Sequence, residues 1–166
     1  FLMLNDRLEQ LYSKYYRQVY LYALSLCRSR HQADDLTSET FFKALLSLQE
    51  STPYIKYWLF RVCKNLYLDS MRKKQKVSLT DDFPTLATTE ANPLDRLIDN
   101  EQSKNLYAQV LQLRPSYREV IILFYYCDLT VKEIAAALGA TEGAVKVLLF
   151  RARKKLKSAL EEKNEI

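Results

Sequence analysis

The chain has 166 residues, 48% of them hydrophobic, with two glycines, four prolines and a formal net charge of +5. This length suits one ordinary domain or two small ones, and the hydrophobic share excludes wholesale disorder. Two glycines are too few for a glycine-rich phosphate loop, which excludes dinucleotide and nucleoside-triphosphate folds of that kind, and scarce glycine and proline point to helices.

In chain order, 5–28 reads as an amphipathic helix, because Leu8, Leu11, Tyr12, Tyr15 and Val19 recur at spacings of three and four. A polar break at 29–32 separates it from a second helix. Asp34 and Asp35 stand at the start of that helix, where carboxylates suit the positive end of the helix dipole. Phe41, Phe42, Leu45 and Leu48 supply its core stripe. Asp35 and Glu39, four apart, share an outward face with Leu36 and Thr40 beside them, so the spacing predicts an acidic docking surface with one exposed leucine. Ser51-Thr52-Pro53 starts a third helix over about 54–75, with Ile55, Trp58, Leu59, Val62 and Leu66 buried. Its opposite side carries Tyr54, Tyr57, Arg61, Lys64, Asn65 and Arg72, and the cations continue through Lys73, Lys74 and Lys76. Rings interleaved with cations suit a single nucleic-acid strand, because bases stack on the rings while cations neutralise phosphates.

Charge divides the chain. Residues 1–77 hold 13 basic and 7 acidic side chains (net +6), 78–101 hold one and six (net −5), and 102–166 hold 11 and 7 (net +4). The acidic segment carries Pro84 and Pro93, lacks apolar periodicity, and reads as a flexible linker between two small lobes. Beyond it, helical spacing covers 94–113 through Leu97, Ile98, Leu106, Val110 and Leu113, and Pro115 opens a helix over 116–127. Thr130 and Glu133 form a capping box, Ile134, Ala135 and Leu138 face inward, and Gly139 suits a left-handed helix end. Thr141 caps a last helix running to about Leu160, which buries Val145, Leu149, Ala152 and Leu156. Two helices joined by a short glycine-containing turn form a helix-turn-helix. The outer face of the second presents Gly143, Lys146, Val147, Phe150, Arg153 and Lys154, with Arg151, Lys155 and Lys157 alongside, a pattern for phosphate and base-edge contact.

Cys27, Cys63 and Cys127 are odd in number and form no CxxC pair, which argues against a disulfide framework or zinc finger and fits a reducing cytoplasm. The first residues lack a signal-peptide pattern. The longest strongly apolar uncharged run, 120–127, is too short for direct membrane insertion. Asp34, Asp35 and Glu39 have no nearby histidine or further ligands, so no metal, cofactor or catalytic residue is expected.

Several motifs in order resemble bacterial extracytoplasmic-function (ECF) sigma factors over nearly the whole chain. They are Ala33-Asp34-Asp35-Leu36-Thr37-Ser38-Glu39-Thr40-Phe41, then the run from Tyr57 to Leu66 with Asp69 and the basic tail, then Leu113-Arg114-Pro115. Glu133-Ile134-Ala135, Leu138-Gly139, Glu142-Gly143-Ala144-Val145-Lys146 and Arg151-Ala152-Arg153-Lys154-Lys155-Leu156 complete the set. The resemblance implies an all-α, non-enzymatic factor of two small helical domains joined by a flexible acidic linker, the second a helix-turn-helix (winged-helix-like) domain. Its divisions would be sigma region 2 (1–77), linker (78–101) and sigma region 4 (102–166).

The implied partners are promoter DNA and core RNA polymerase. Asp34, Asp35, Leu36 and Glu39 would meet the beta-prime clamp helices, and the beta flap is the other part of core polymerase expected to be contacted. The minus-ten strand would be taken by Tyr54, Tyr57, Arg61, Lys64, Asn65, Arg72 and Lys73, with the loop 49–56. The minus-thirty-five duplex would be read by Thr141, Glu142, Gly143, Lys146, Val147, Phe150, Arg151, Arg153 and Lys154. The linker would thread through polymerase. A membrane-bound or soluble anti-sigma factor is a further family partner.

The chain departs from the family at a few positions. Ser38 stands for a common glutamine, Val147-Leu148 for a typical Ser-Arg pair, and Phe150 for a typical histidine. Val147 and Phe150 then lie on the DNA side, open either to thymine methyls or to an inhibitory partner. The rival reading is a stand-alone helix-turn-helix regulator that needs operator DNA but no polymerase.

Overall fold

The computed structural model describes residues 2–47, 55–77 and 101–164. These form seven helices and no strand, in two compact units within residues 1–89 and 90–166.

In the first unit α1 (Leu2–Cys27), α2 (Arg30–Ser47) and α3 (Ile55–Val77) pack each on the other two. α1 ends where Arg28 turns left-handed (φ 55°), its N–H donating to the Leu24 carbonyl at 2.8 Å. The Ser29 carbonyl then accepts from the Ala33 N–H at 2.9 Å. One left-handed residue reverses the chain, so the break is shorter than the four residues expected. Asp34 and Asp35 consequently stand in the second turn of α2, past the reach of its first-turn dipole.

The core of this unit takes Val19, Tyr22 and Ala23 from α1, Ala33, Thr37, Thr40 and Ala44 from α2, and Leu59, Phe60 and Cys63 from α3. The Tyr22 and Phe60 rings meet edge-on at 5.7 Å. The hydroxyls of Thr37 and Thr40 donate to the Ala33 and Leu36 carbonyls, each at 2.7 Å, so their burial leaves no hydroxyl unsatisfied. α3 touches both neighbours, and its buried residues are Leu59, Phe60 and Cys63, whereas Ile55, Trp58, Val62 and Leu66, read as buried, are half-buried. Three expectations for α2 are corrected. Phe42 is 60% exposed rather than in the core, while Leu36 and Thr40, read as outward, are only 7% and 0% exposed. The helix is rotated toward α1, whose Tyr12 and Tyr16 rings sit 5.0 and 6.5 Å from Phe41. Leu48, Gln49, the start at Ser51-Thr52-Pro53 and Tyr54 lie outside the described residues.

In the second unit α4 (Glu101–Gln112) and α5 (Pro115–Ile121) precede the hairpin of α6 (Val131–Leu138) and α7 (Glu142–Asn164). Pro115 sits in the first turn of α5, where its missing N–H costs nothing. The helix expected over 116–127 widens into a π turn at Ile122–Tyr126, closed by the Cys127 N–H donating to the Ile122 carbonyl at 3.0 Å. Asp128 then turns left-handed at φ 58°. On α4 the predicted core residue Leu106 is exposed, and Tyr107 is buried instead, its ring 5.6 Å from that of Tyr126. Val110, Val120 to Leu123, Leu129, Ile134, Val145, Leu149 and Ala152 complete the core. Each valine, leucine or isoleucine among these is worth about 1.5–3 kcal/mol when fully buried. Leu97, Ile98 and the acidic segment 78–100 lie outside the described residues.

Candidate functional site

The hairpin of α6 and α7 is built by local chemistry. The Thr130 N–H donates to Glu133 Oε1 at 3.0 Å, and the Glu133 N–H returns to Thr130 Oγ1 at 3.1 Å. Two otherwise orphaned donors are thereby satisfied. Gly139 ends α6 at φ 65°, its N–H donating to the Ala135 carbonyl. A side chain there would be strained whatever room it had. The Ala144 N–H donates to Thr141 Oγ1 at 3.1 Å and starts α7. Thr141 is therefore a helix cap as well as a candidate contact.

On α7, Val145, Leu149 and Ala152 face inward while Glu142, Gly143, Lys146, Val147, Phe150, Arg151, Arg153 and Lys154 are all exposed. Gly143, Val147, Phe150 and Lys154 follow one another at spacings of four, three and four, so they form one stripe. Arg153 is not a loose cation. Its Nε donates to the Tyr125 hydroxyl at 2.6 Å, and its guanidinium lies 5.4 Å from the Phe124 ring centre. The π turn presents both rings to α7. Sequence spacing misses this tie, because 28 residues separate the partners.

On α3, Arg61, Asn65 and Arg72 are exposed and Tyr57 and Lys64 half-buried, on the side away from Leu59 and Cys63, and Lys73 is exposed in the basic run at the helix end. Arg72 lies 3.6 Å from the Asp69 carboxylate in an exposed pair of small worth. Tyr54 and residues 49–54 of the expected loop lie outside the described residues.

On α2, Asp34, Asp35 and Glu39 are exposed, with Asp35 3.7 Å from His31. Asp34 leans toward α1. Burial first, and then its negative charge, raise the Tyr20 hydroxyl above its usual pKa. Leu36 is not beside the acids on the surface. The apolar neighbours of Asp35 and Glu39 on the outer face are Phe42 and Leu46, 60% and 70% exposed. The run 35–39–42–46 at spacings of four, three and four is the signal that finds them in the sequence. Among the described residues, no group of three or more metal-ligating side chains is placed to hold an ion. Nor is any helix there long and apolar enough to cross a membrane.

The family model "Sigma-70 region 2" matches residues 11–77, and "Sigma-70, region 4" matches 103–156. The chain is 31% identical over 154 residues to the ECF RNA polymerase sigma factor SigM of Bacillus subtilis, covering 91% of this chain and 93% of that one. It is 28% identical over 166 residues to the RNA polymerase sigma factor YlaC of the same organism, covering 97% and 96%. Its fold is like that of the sigma factor RpoE of Bartonella quintana, solved in complex with the anti-sigma factor NepR. That match has a TM-score of 0.72 at 24% identity, covering 92% of this chain and 96% of that one. The chain therefore belongs to the ECF family of RNA polymerase sigma factors and acts as an alternative sigma factor, directing RNA polymerase to promoters.

Proposed function

We propose the following division of labour. The first unit docks on the beta-prime clamp helices of core RNA polymerase through Asp35, Glu39, Phe42 and Leu46, with Leu36 acting from beneath to hold α2 in place. The same unit takes the melted minus-ten strand on the exposed side of α3, with Tyr57, Arg61, Lys64, Asn65, Arg72 and Lys73 as its contacts. The second unit reads the minus-thirty-five duplex with α7 and meets the beta flap. Region 2 spans 1–77, the acidic linker 78–101 and region 4 102–166, and the chain itself performs no bond-making step. An anti-sigma factor is a further partner, in keeping with the complex of the RpoE relative with NepR.

The observation that carries this reading is the separation of two charge types on two exposed helix faces. α2 offers acids next to apolar side chains, and α7 offers cations around a base-facing stripe, within a chain matching regions 2 and 4 in that order. Reconstitution tests it. Added to core polymerase, the protein directs initiation from defined start sites on its cognate genome, and joint charge reversal of Asp35 and Glu39 weakens core association without unfolding the protein. Failure to associate with core, or random start sites, overturns the reading.

A further inference from the structure

The centre of the α7 stripe is chemically unusual for a helix that meets DNA. Val147 is 47% exposed and Phe150 67%. Neither side chain carries a donor or an acceptor, so neither can hydrogen-bond a base edge. Gly143, one turn before Val147 on the same stripe, adds no side chain, and a Cβ built on it meets nothing within 4 Å. Along the first three turns the stripe therefore presents a bare position, a valine and a phenylalanine. Cations flank the stripe, with Lys146 and Arg153 on one side and Arg151 on the other, and Lys154 ends it, all exposed.

The major groove offers one group that an apolar side chain can recognise, the C5-methyl of thymine. The flanking cations match phosphates on either side of a groove and position the helix without reading sequence. A protein partner would meet these cations as charges to be paired or desolvated, whereas a duplex supplies the complementary charge at the required place. Resting on the assignment of α7 to the minus-thirty-five duplex, we propose that this helix reads its element through thymine methyls seated against Val147 and Phe150. A hydrogen-bonding code from side chains at these two positions is excluded by their chemistry. T·A pairs at the corresponding steps are then required, with the methyl on either strand.

Deoxyuridine in place of thymidine removes only the methyl, so the perturbation sits on the DNA and leaves the protein's folding untouched. Selection of initiating promoters by the full chain with core polymerase, from a library randomised over the minus-thirty-five element, supplies the preferred site. Each thymidine in it is then replaced singly by deoxyuridine and promoter-complex affinity is measured. Loss of about fourfold is expected at one or two positions, as for removing one buried methyl. The loss should shrink toward unity when the protein carries both Val147→Ala and Phe150→Ala. A preferred element without T·A pairs, insensitivity to every deoxyuridine, or a loss undiminished in the double variant overturns the proposal. Dependence on the minus-thirty-five sequence without methyl dependence sinks this inference alone. No dependence on that sequence at all sinks the assignment of α7 as well.

Discussion

Leu36 and Phe42 stand on opposite sides of α2 and should fail in opposite assays. Leu36 is 7% exposed, and its replacement by alanine leaves a void against α1 and α3 that only partly collapses. The cost is about 3 kcal/mol, within the usual range for a buried leucine. With a urea slope of about 1.5 kcal/mol/M for a unit this small, the midpoint falls by about 2 M. Trp58 is the only tryptophan in the chain and lies on α3, so its fluorescence follows the first unit specifically. Phe42→Ala removes a ring that is 60% exposed and should leave that transition within about 0.5 kcal/mol of wild type. If Phe42 anchors the contact with core polymerase, the same change costs about 2 kcal/mol of binding, a loss of about 30-fold by fluorescence anisotropy. The reasoning is refuted if Leu36→Ala weakens core binding while the Trp58 transition stays put. It is equally refuted if Phe42→Ala and Leu46→Ala together leave core affinity unchanged.

Thr130→Ala removes the acceptor of the Glu133 N–H and should cost about 1 kcal/mol, speeding hydrogen exchange of α6 amides about fivefold, while Glu133→Gln keeps its acceptor oxygen and stays near wild type. Gly143→Ala adds a Cβ into open space on α7 and should raise stability by up to about 1 kcal/mol, read as slower exchange of first-turn amides. Burial pushes the Cys63 thiol up to about 12 and the Cys27 thiol up to about 11 from the usual 9.0. In both cases the folded state holds the proton more tightly than the unfolded one. Their contribution is therefore complete below the unfolded value and is lost as pH rises from there toward the folded value. The Trp58 urea midpoint should accordingly fall as pH rises from ~9 toward ~11, and Cys63→Ala should flatten that fall.

What could be read from the sequence was what is decided within a few residues. The capping box of Thr130 and Glu133, the left-handed Gly139 and the Thr141 cap each act over four residues or fewer, so spacing alone places the hairpin and orients α7. The inward face of α7 was legible because Val145, Leu149 and Ala152 recur at spacings of four and three, with the cations kept off that face. α2 offers no such cue. Leu36, Phe41, Phe42, Leu45 and Leu46 surround the helix, and which of them goes inside is settled by the tyrosines of α1 packing edge-on and tilted against Phe41. The π turn was equally hidden, since Ile122 to Tyr126 would fit an ordinary helix and only long-range packing reveals the extra residue.

Four exposed apolar side chains stand at the surfaces proposed for recognition. A small helical unit gains by burying every large apolar group it can, yet Phe42 and Leu46 stay outside on α2, and Val147 and Phe150 on α7. Taken alone, such residues say only that something covers them. Their charged neighbours distinguish the covers. Asp35 and Glu39 precede Phe42 on an acidic face that would repel phosphates and attract a basic protein helix. Lys146, Arg151 and Lys154 surround Val147 and Phe150 on a face that attracts phosphates. Under the proposed division of labour, two apolar pairs of similar size are thereby directed to different polymers, one to protein and one to duplex DNA. Exchanging the signs of the flanking charges should therefore impair both contacts even with every apolar side chain left in place.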